Sequence, residues 1–128
     1  MLSMSARLSA VLLAAAAAAF PLSSAKAAKA DVVAVKLVPE GGGSYRVEVS
    51  VKSDDQGWHK YADKWEVKTP DGKVLGTRVL LHPHEDEQPF TRDLGGVAIP
   101  PGVGEVTVRA HDKVEGWGGV EMTVKVPR

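Results

Sequence analysis

The sequence contains no cysteine, so disulfide bonds and thiolate metal sites are both excluded. Aromatic residues are also scarce, at 5% of the chain, which makes each of the three tryptophans informative. No segment after residue 30 shows the hydrophobic period of an amphipathic helix. The folded part of the chain is therefore expected to be stabilised by the packing of β-structure, without covalent cross-links.

An apolar run occupies the N-terminus, from Leu8 to Phe20. Arg7 precedes this run, and the small-residue sites Ala25-Lys26-Ala27 and Ala28-Lys29-Ala30 follow it, which is the layout of a secretory signal peptide. The alternative is an uncleaved membrane anchor, but this run of 13 residues is short of the roughly 20 that span a bilayer. No cysteine follows the run, so a lipoprotein anchor would lack its attachment residue.

We therefore predict a signal peptide over residues 1–30, cleaved near Ala30, and one periplasmic or secreted domain over residues 31–128. Without residues 1–30, the chain has 13 Lys and Arg against 16 Asp and Glu, a net charge of −3. A mildly acidic domain does not attract nucleic acid. We expect no nucleic-acid partner and no stable membrane insertion after cleavage, and the sequence does not specify any other partner.

Alternating apolar and polar residues predict β-strands through most of the mature chain. Residues 61–68 and 73–81 are predicted to form a hairpin. Seven short strands in about 98 residues are typical of an antiparallel β-sandwich of the immunoglobulin-like or fibronectin-like kind, and a small barrel is the alternative. The other predicted strands are residues 33–37, 45–52, 105–111 and 120–126, with a short one between 90 and 99.

The hairpin prediction also places histidines. A three-residue loop at residues 70–72 makes Val67 face Leu75. When the same pairing is continued to the other end of the hairpin, His59 comes to lie beside the segment His82–His84. In a seven-stranded sandwich the sixth strand runs antiparallel beside the third, which is expected to bring His111 to the same end.

Four histidines are therefore candidates for a metal site. In the segment His82-Pro83-His84, proline stiffens an extended backbone on which residues two apart point to the same side. Imidazole and carboxylate ligands suit Zn²⁺ or Cu²⁺. We predict that at least three imidazoles from His82, His84, His59 and His111 meet around a common point. The alternative is that His82 hydrogen-bonds a loop carbonyl and that residues 85–87 form a solvated acidic loop.

Tryptophans provide a second candidate site. Trp58 and Trp117 lie in glycine-flanked loops and are expected at the same end as the histidines. Exposed aromatic rings can stack on sugars or anchor a partner chain. We therefore consider an adhesion or ligand-binding module, which requires both indoles to be exposed. Trp65, at the centre of a predicted strand, and Phe90 are expected in the core.

Catalytic motifs are absent from the sequence, with no G-x-S-x-G, H-E-x-x-H or phosphate loop. We therefore expect a protein that is not an enzyme and has no cofactor other than a bound Zn²⁺ or Cu²⁺. Residues 58–67, 82–84 and 88–92 resemble small exported proteobacterial proteins of unassigned function, over about residues 58–119. This resemblance implies export but no ligand or activity.

Overall fold

The computed structural model describes residues 29–128, so the predicted signal peptide lies outside the described residues except for its last two positions. The described chain forms two antiparallel sheets, and it contains no helix long and apolar enough to cross a bilayer. The strands are β1 (Asp31–Gly41), β2 (Ser44–Lys52), β3 (Ala62–Lys68), β4 (Val74–Val79), β5 (Phe90–Ala98), β6 (Glu105–Asp112) and β7 (Met122–Lys125). Strand order is β1-β2-β5 in one sheet and β4-β3-β6-β7 in the other. The predicted all-β fold is confirmed.

Both sheets contribute to one hydrophobic core, as in a β-sandwich. In β2 every second residue is buried, because successive side chains of a strand point to opposite faces. Trp65 of β3 and Phe90 of β5 are completely buried, as predicted. These two large core side chains therefore lie on strands that the sequence pattern predicted, Trp65 at the centre of β3 and Phe90 at the start of β5.

The register of the β3–β4 hairpin differs from the prediction. Val67 pairs with Gly76, not with Leu75, because a β-bulge shifts the pairing by one residue close to the turn. Leu75 is the extra residue and packs partly against the core. A Cβ at Gly76 would lie 3.0 Å from the Leu94 side chain, so the glycine allows β4 and β5 to approach closely.

A second irregularity affects β1. The pairing with β2 shifts between Val32 and Ala34, so that Val33 is an extra residue. Val32 is 1% exposed and belongs to the core, whereas Val33 is 43% exposed. The bulge therefore directs Val33 to solvent near the start of the strand.

The strands run between two ends of the fold. We call one end the N-terminal pole, defined by residues 29–31 and by the loops 53–61, 80–89 and 113–121. As expected, β6 lies antiparallel to β3, with Ala62 opposite Asp112. This pairing and the hairpin together bring His59, His82, His84, His111, Trp58 and Trp117 to the N-terminal pole.

Candidate functional site

Asp55 connects two loops of the N-terminal pole. Its carboxylate is buried, and its Oδ1 accepts hydrogen bonds from the Ala62 N–H at 2.9 Å and the Ser53 hydroxyl at 2.7 Å. Its Oδ2 accepts the backbone N–H of His84 at 2.8 Å. A buried carboxylate needs such donors to offset the loss of its hydration. The carboxylate therefore fixes the loop before β3 against the loop after β4.

A buried ion pair lies beside this loop. Lys60 Nζ is 2.7 Å from Asp112 Oδ2, and the two residues are 3% and 0% exposed. Asp112 Oδ1 also accepts the backbone N–H groups of Val114 and Glu115. Burial raises the pKa of Asp112, but the hydrogen bonds from Lys60 and from these two N–H groups outweigh it, so the pKa lies below its ordinary value. The ion pair thus ties the loop before β3 to the loop after β6.

His84 is the most constrained histidine. Its ring is 5% exposed, stacks on Phe90 with centroids 4.0 Å apart, and lies 4.6 Å from the His82 ring. Arg92 Nη2 donates to His84 Nε2 at 2.8 Å. Because a guanidinium has only donors, Nε2 holds the lone pair and the proton is on Nδ1. Burial, followed by the charges of Arg92 and His82, lowers the pKa of His84.

The other three histidines have separate environments. His82 is exposed, and its Nδ1 is 3.0 Å from the Pro83 carbonyl, as the alternative interpretation predicted. His111 Nδ1 is 2.7 Å from Asp63 Oδ1. The ring of His59 is exposed and has no hydrogen bond to the rest of residues 29–128.

The predicted meeting of three imidazoles is therefore not found. Within residues 29–128 there is no group of three or more His, Asp or Glu side chains that could hold a metal ion. The topology brings the four histidines to one pole, but it places only His82 and His84 ring to ring. Arg92 contacts Nε2 of His84, and Asp63 contacts Nδ1 of His111, so both of these nitrogens already have a partner.

Trp58 is prominently exposed at this pole, with 63% of its surface accessible. It lies in a turn in which the Lys60 N–H donates to the Gly57 carbonyl. Tyr61 packs against its indole edge to face, with centroids 5.8 Å apart. Lys113 Nζ donates to the Trp58 carbonyl at 2.8 Å. The backbone of the turn is thus held in place, and one side of the indole contacts Tyr61 while most of its surface faces solvent.

Trp117 is half-buried on the outer face of the four-stranded sheet. The Arg109 guanidinium lies 4.0 Å from the centre of its ring, and His111 packs edge to face at 4.8 Å. Arg109 also pairs with Glu66, 3.4 Å away. The expectation of two exposed indoles is therefore met by Trp58 and not by Trp117, because a cation and an imidazole already contact the Trp117 ring.

Sequence reasoning missed the residues that organise the pole. Asp55 and Lys60 look like ordinary polar loop residues in the sequence, and their burial depends on segments that are distant along the chain. Arg92 follows a run of acidic residues and contacts one of them, Glu87, at 3.3 Å, but nothing in the local sequence indicates its contact with His84. A surface groove at the opposite pole, between residues 69–71 and 102–105, contains none of the predicted site residues.

Comparison with known proteins shows similarity to an archaeal protein. The chain is 43% identical over 96 residues to a protein of the archaeon Halomicrobium mukohataei that carries the name "Putative lipoprotein". The aligned segment covers 75% of this chain and 47% of that protein, so the chain spans about half the length of the relative. No protein-family model matches the chain, and no solved structure matches it. The resemblance to proteobacterial proteins stays a prediction.

Proposed function

We propose that the chain is an exported, non-catalytic binding domain of the cell envelope that holds its partner at the N-terminal pole through Trp58. The observation that carries this proposal is the 63% exposure of an indole on a loop fixed by buried charges. Exposed tryptophans in fixed positions are typical of binding hot spots. Because the loop is already ordered, binding would lose little conformational entropy.

Two observations support export. The N-terminal residues have the layout of a signal peptide, and the archaeal relative is named as a lipoprotein. Ala30 is 1% exposed and packs in the core, and Lys29 Nζ donates to the Glu115 carbonyl at 3.2 Å. We therefore favour cleavage after Ala27, the alternative site, because it keeps both residues in a periplasmic or secreted domain.

We also propose that the fold is immunoglobulin-like or fibronectin-like. The division into a three-stranded and a four-stranded antiparallel sheet supports this description. The buried Trp65 at the centre of β3 supports it too, because immunoglobulin domains carry a core tryptophan on their third strand.

Co-sedimentation of the full chain with isolated cell envelopes of its own organism tests the binding proposal. We expect Trp58→Ala to weaken binding about tenfold or more, since truncation of a hot-spot aromatic removes at least about 1.4 to 2 kcal/mol. Val74→Ala is the matched control, because Val74 is also exposed but lies towards the opposite pole. Equal binding by wild type and Trp58→Ala would overturn the proposal, provided that both melt at the same temperature.

A further inference from the structure

The large apolar side chains exposed within residues 29–128 fall into two groups. One group follows the edge strand β4, where a bulge interrupts the pairing edge and discourages association with another strand. The other group lies at the N-terminal pole and includes the exposed tryptophan. The first group is Val74 and Val79, and the second is Trp58, Leu81, Val114 and Val120, with Val33 near the start of β1.

The loop between β6 and β7 joins Trp58 to the point where the chain enters the domain. On one side of this loop Lys113 Nζ donates to the Trp58 carbonyl. On the other side Lys29 Nζ donates to the Glu115 carbonyl at 3.2 Å, and the Val32 N–H donates to the Val120 carbonyl at 2.8 Å. The loop between β6 and β7 therefore links Trp58 to Lys29 and Val32, at the end of the fold where the described chain begins.

We propose that the N-terminal pole is a lipid-facing surface, with Trp58 and Val114 at the headgroup level of a bilayer. This inference rests on the proposed function, because it names the partner of the same Trp58. Tryptophan and tyrosine rings favour the boundary between headgroups and acyl chains, where one part of the ring is apolar and another is wet. Before cleavage, a signal peptide whose apolar run over residues 8–20 enters the bilayer keeps this pole, and not the opposite one, close to the membrane surface.

Charge determines which lipid surface fits. The exposed residues Glu85, Asp86 and Glu87 lie in a loop of the same pole, and Asp54 is exposed in the neighbouring loop. These carboxylates repel anionic headgroups, and Lys113 already donates to a backbone carbonyl. Contact with the bilayer is therefore expected to depend on aromatic and apolar side chains, to favour zwitterionic lipid and to change little with salt.

Quenching of tryptophan fluorescence tests the inference in the full chain. The probe is a phosphatidylcholine vesicle whose acyl chains are brominated close to the headgroup. We expect brominated vesicles to remove about a third of the emission, because Trp58 is one of three tryptophans and Trp65 is buried. Trp58→Phe should abolish most of this quenching, whereas Trp117→Phe should retain it. Addition of phosphatidylglycerol should not increase the quenching.

Each outcome bears on a different proposal. Quenching that survives Trp58→Phe, or that is absent from wild type, would overturn the lipid-facing surface. If envelope binding still depends on Trp58 in that case, the proposed function stands, and the partner is an envelope protein or glycan. If envelope binding is also independent of Trp58, both proposals fail. Quenching that phosphatidylglycerol strongly enhances would contradict the aromatic and apolar mode of contact.

Discussion

Arg92 shows how one side chain limits the chemistry of another. Its guanidinium can only donate, so its contact with His84 Nε2 uses the lone pair that a metal ion would need. The proton on Nδ1 has no hydrogen-bond partner within residues 29–128 and is buried. His84 is therefore a neutral ring that stacks on Phe90 and has a structural role. Its contact with Arg92 is sensitive to acid, because a protonated ring has no lone pair to accept from the guanidinium.

This environment predicts an acid-dependent loss of stability. Burial, then Arg92 and His82, lower the pKa of folded His84, while the unfolded chain keeps a value near 6.5. The stability that neutral His84 contributes is therefore complete above this pH and is lost as the pH falls below it towards the lowered folded value. We expect the free energy of unfolding of wild type to fall faster between about pH 7 and pH 5 than that of His84→Phe, by at most about 1.4 kcal/mol per pH unit.

Urea unfolding at several pH values measures this difference. His59→Gln is the matched control, because the exposed His59 ring has no hydrogen bond to the rest of residues 29–128. This control should keep the pH dependence of wild type. Identical pH dependence in wild type and His84→Phe would show that the contact between Arg92 and His84 does not disfavour the protonated ring.

At the scale of elements, the loops of the N-terminal pole are joined by buried polar groups. Asp55 connects the first loop to the second, and the pair Lys60–Asp112 connects the first to the third. Removing one member of such a buried pair leaves the other charge without compensation, which typically costs about 3–5 kcal/mol. These loops therefore form one unit that presents Trp58, although none of them contains a regular strand.

The loop between β6 and β7 also packs tightly on the N-terminal segment. A Cβ at Gly119 would overlap the carbonyl of Ala30 and would lie 2.7 Å from Asp31 Oδ1. We expect Gly119→Ala to lower the free energy of unfolding by about 1–3 kcal/mol, because the backbone of Ala30, just before β1, must move. Gly102→Ala, which points into open space, should change it by no more than about 0.5 kcal/mol. Equal losses in urea unfolding would show that close packing is not the cause.

At the scale of the whole molecule, antiparallel pairing gathers all four histidines at one pole but gives them different neighbours. The metal hypothesis predicts that Zn²⁺ or Cu²⁺ raises the melting temperature, since a ligand specific for the folded state adds about 2.7 kcal/mol at a hundred times its Kd. Arg92→Ala should enlarge this rise, because it releases the His84 lone pair beside His82. His82→Ala/His84→Ala should abolish it. Unchanged melting temperatures in wild type and Arg92→Ala would exclude the hypothesis.

The positions of the strands were predictable because alternation is a property of consecutive residues. The pattern of β2 and the burial of Trp65 and Phe90 follow from it. The shared pole of His59, His82 and His84 was also predictable, since any antiparallel hairpin brings its two open ends together. His111 was placed there only by analogy with sandwiches in which the sixth strand lies beside the third. The exact register was not, because no pattern of consecutive residues indicates that Leu75 is an extra residue in the pairing of β3 with β4.

By itself, therefore, the sequence determined an all-β chain with its core residues and the pole at which its unusual residues lie. Tertiary structure alone decided what those residues can do. Asp55 meets the backbone of His84 across 29 residues, and Lys60 meets Asp112 across 52. These contacts decide which charges are buried. The contact of Arg92 with His84 decides which ring nitrogen carries the proton, and the contact of Arg109 with Trp117 partly covers that indole while Trp58 stays exposed. No local pattern encodes them, because each depends on side chains that only the packed sheets bring together.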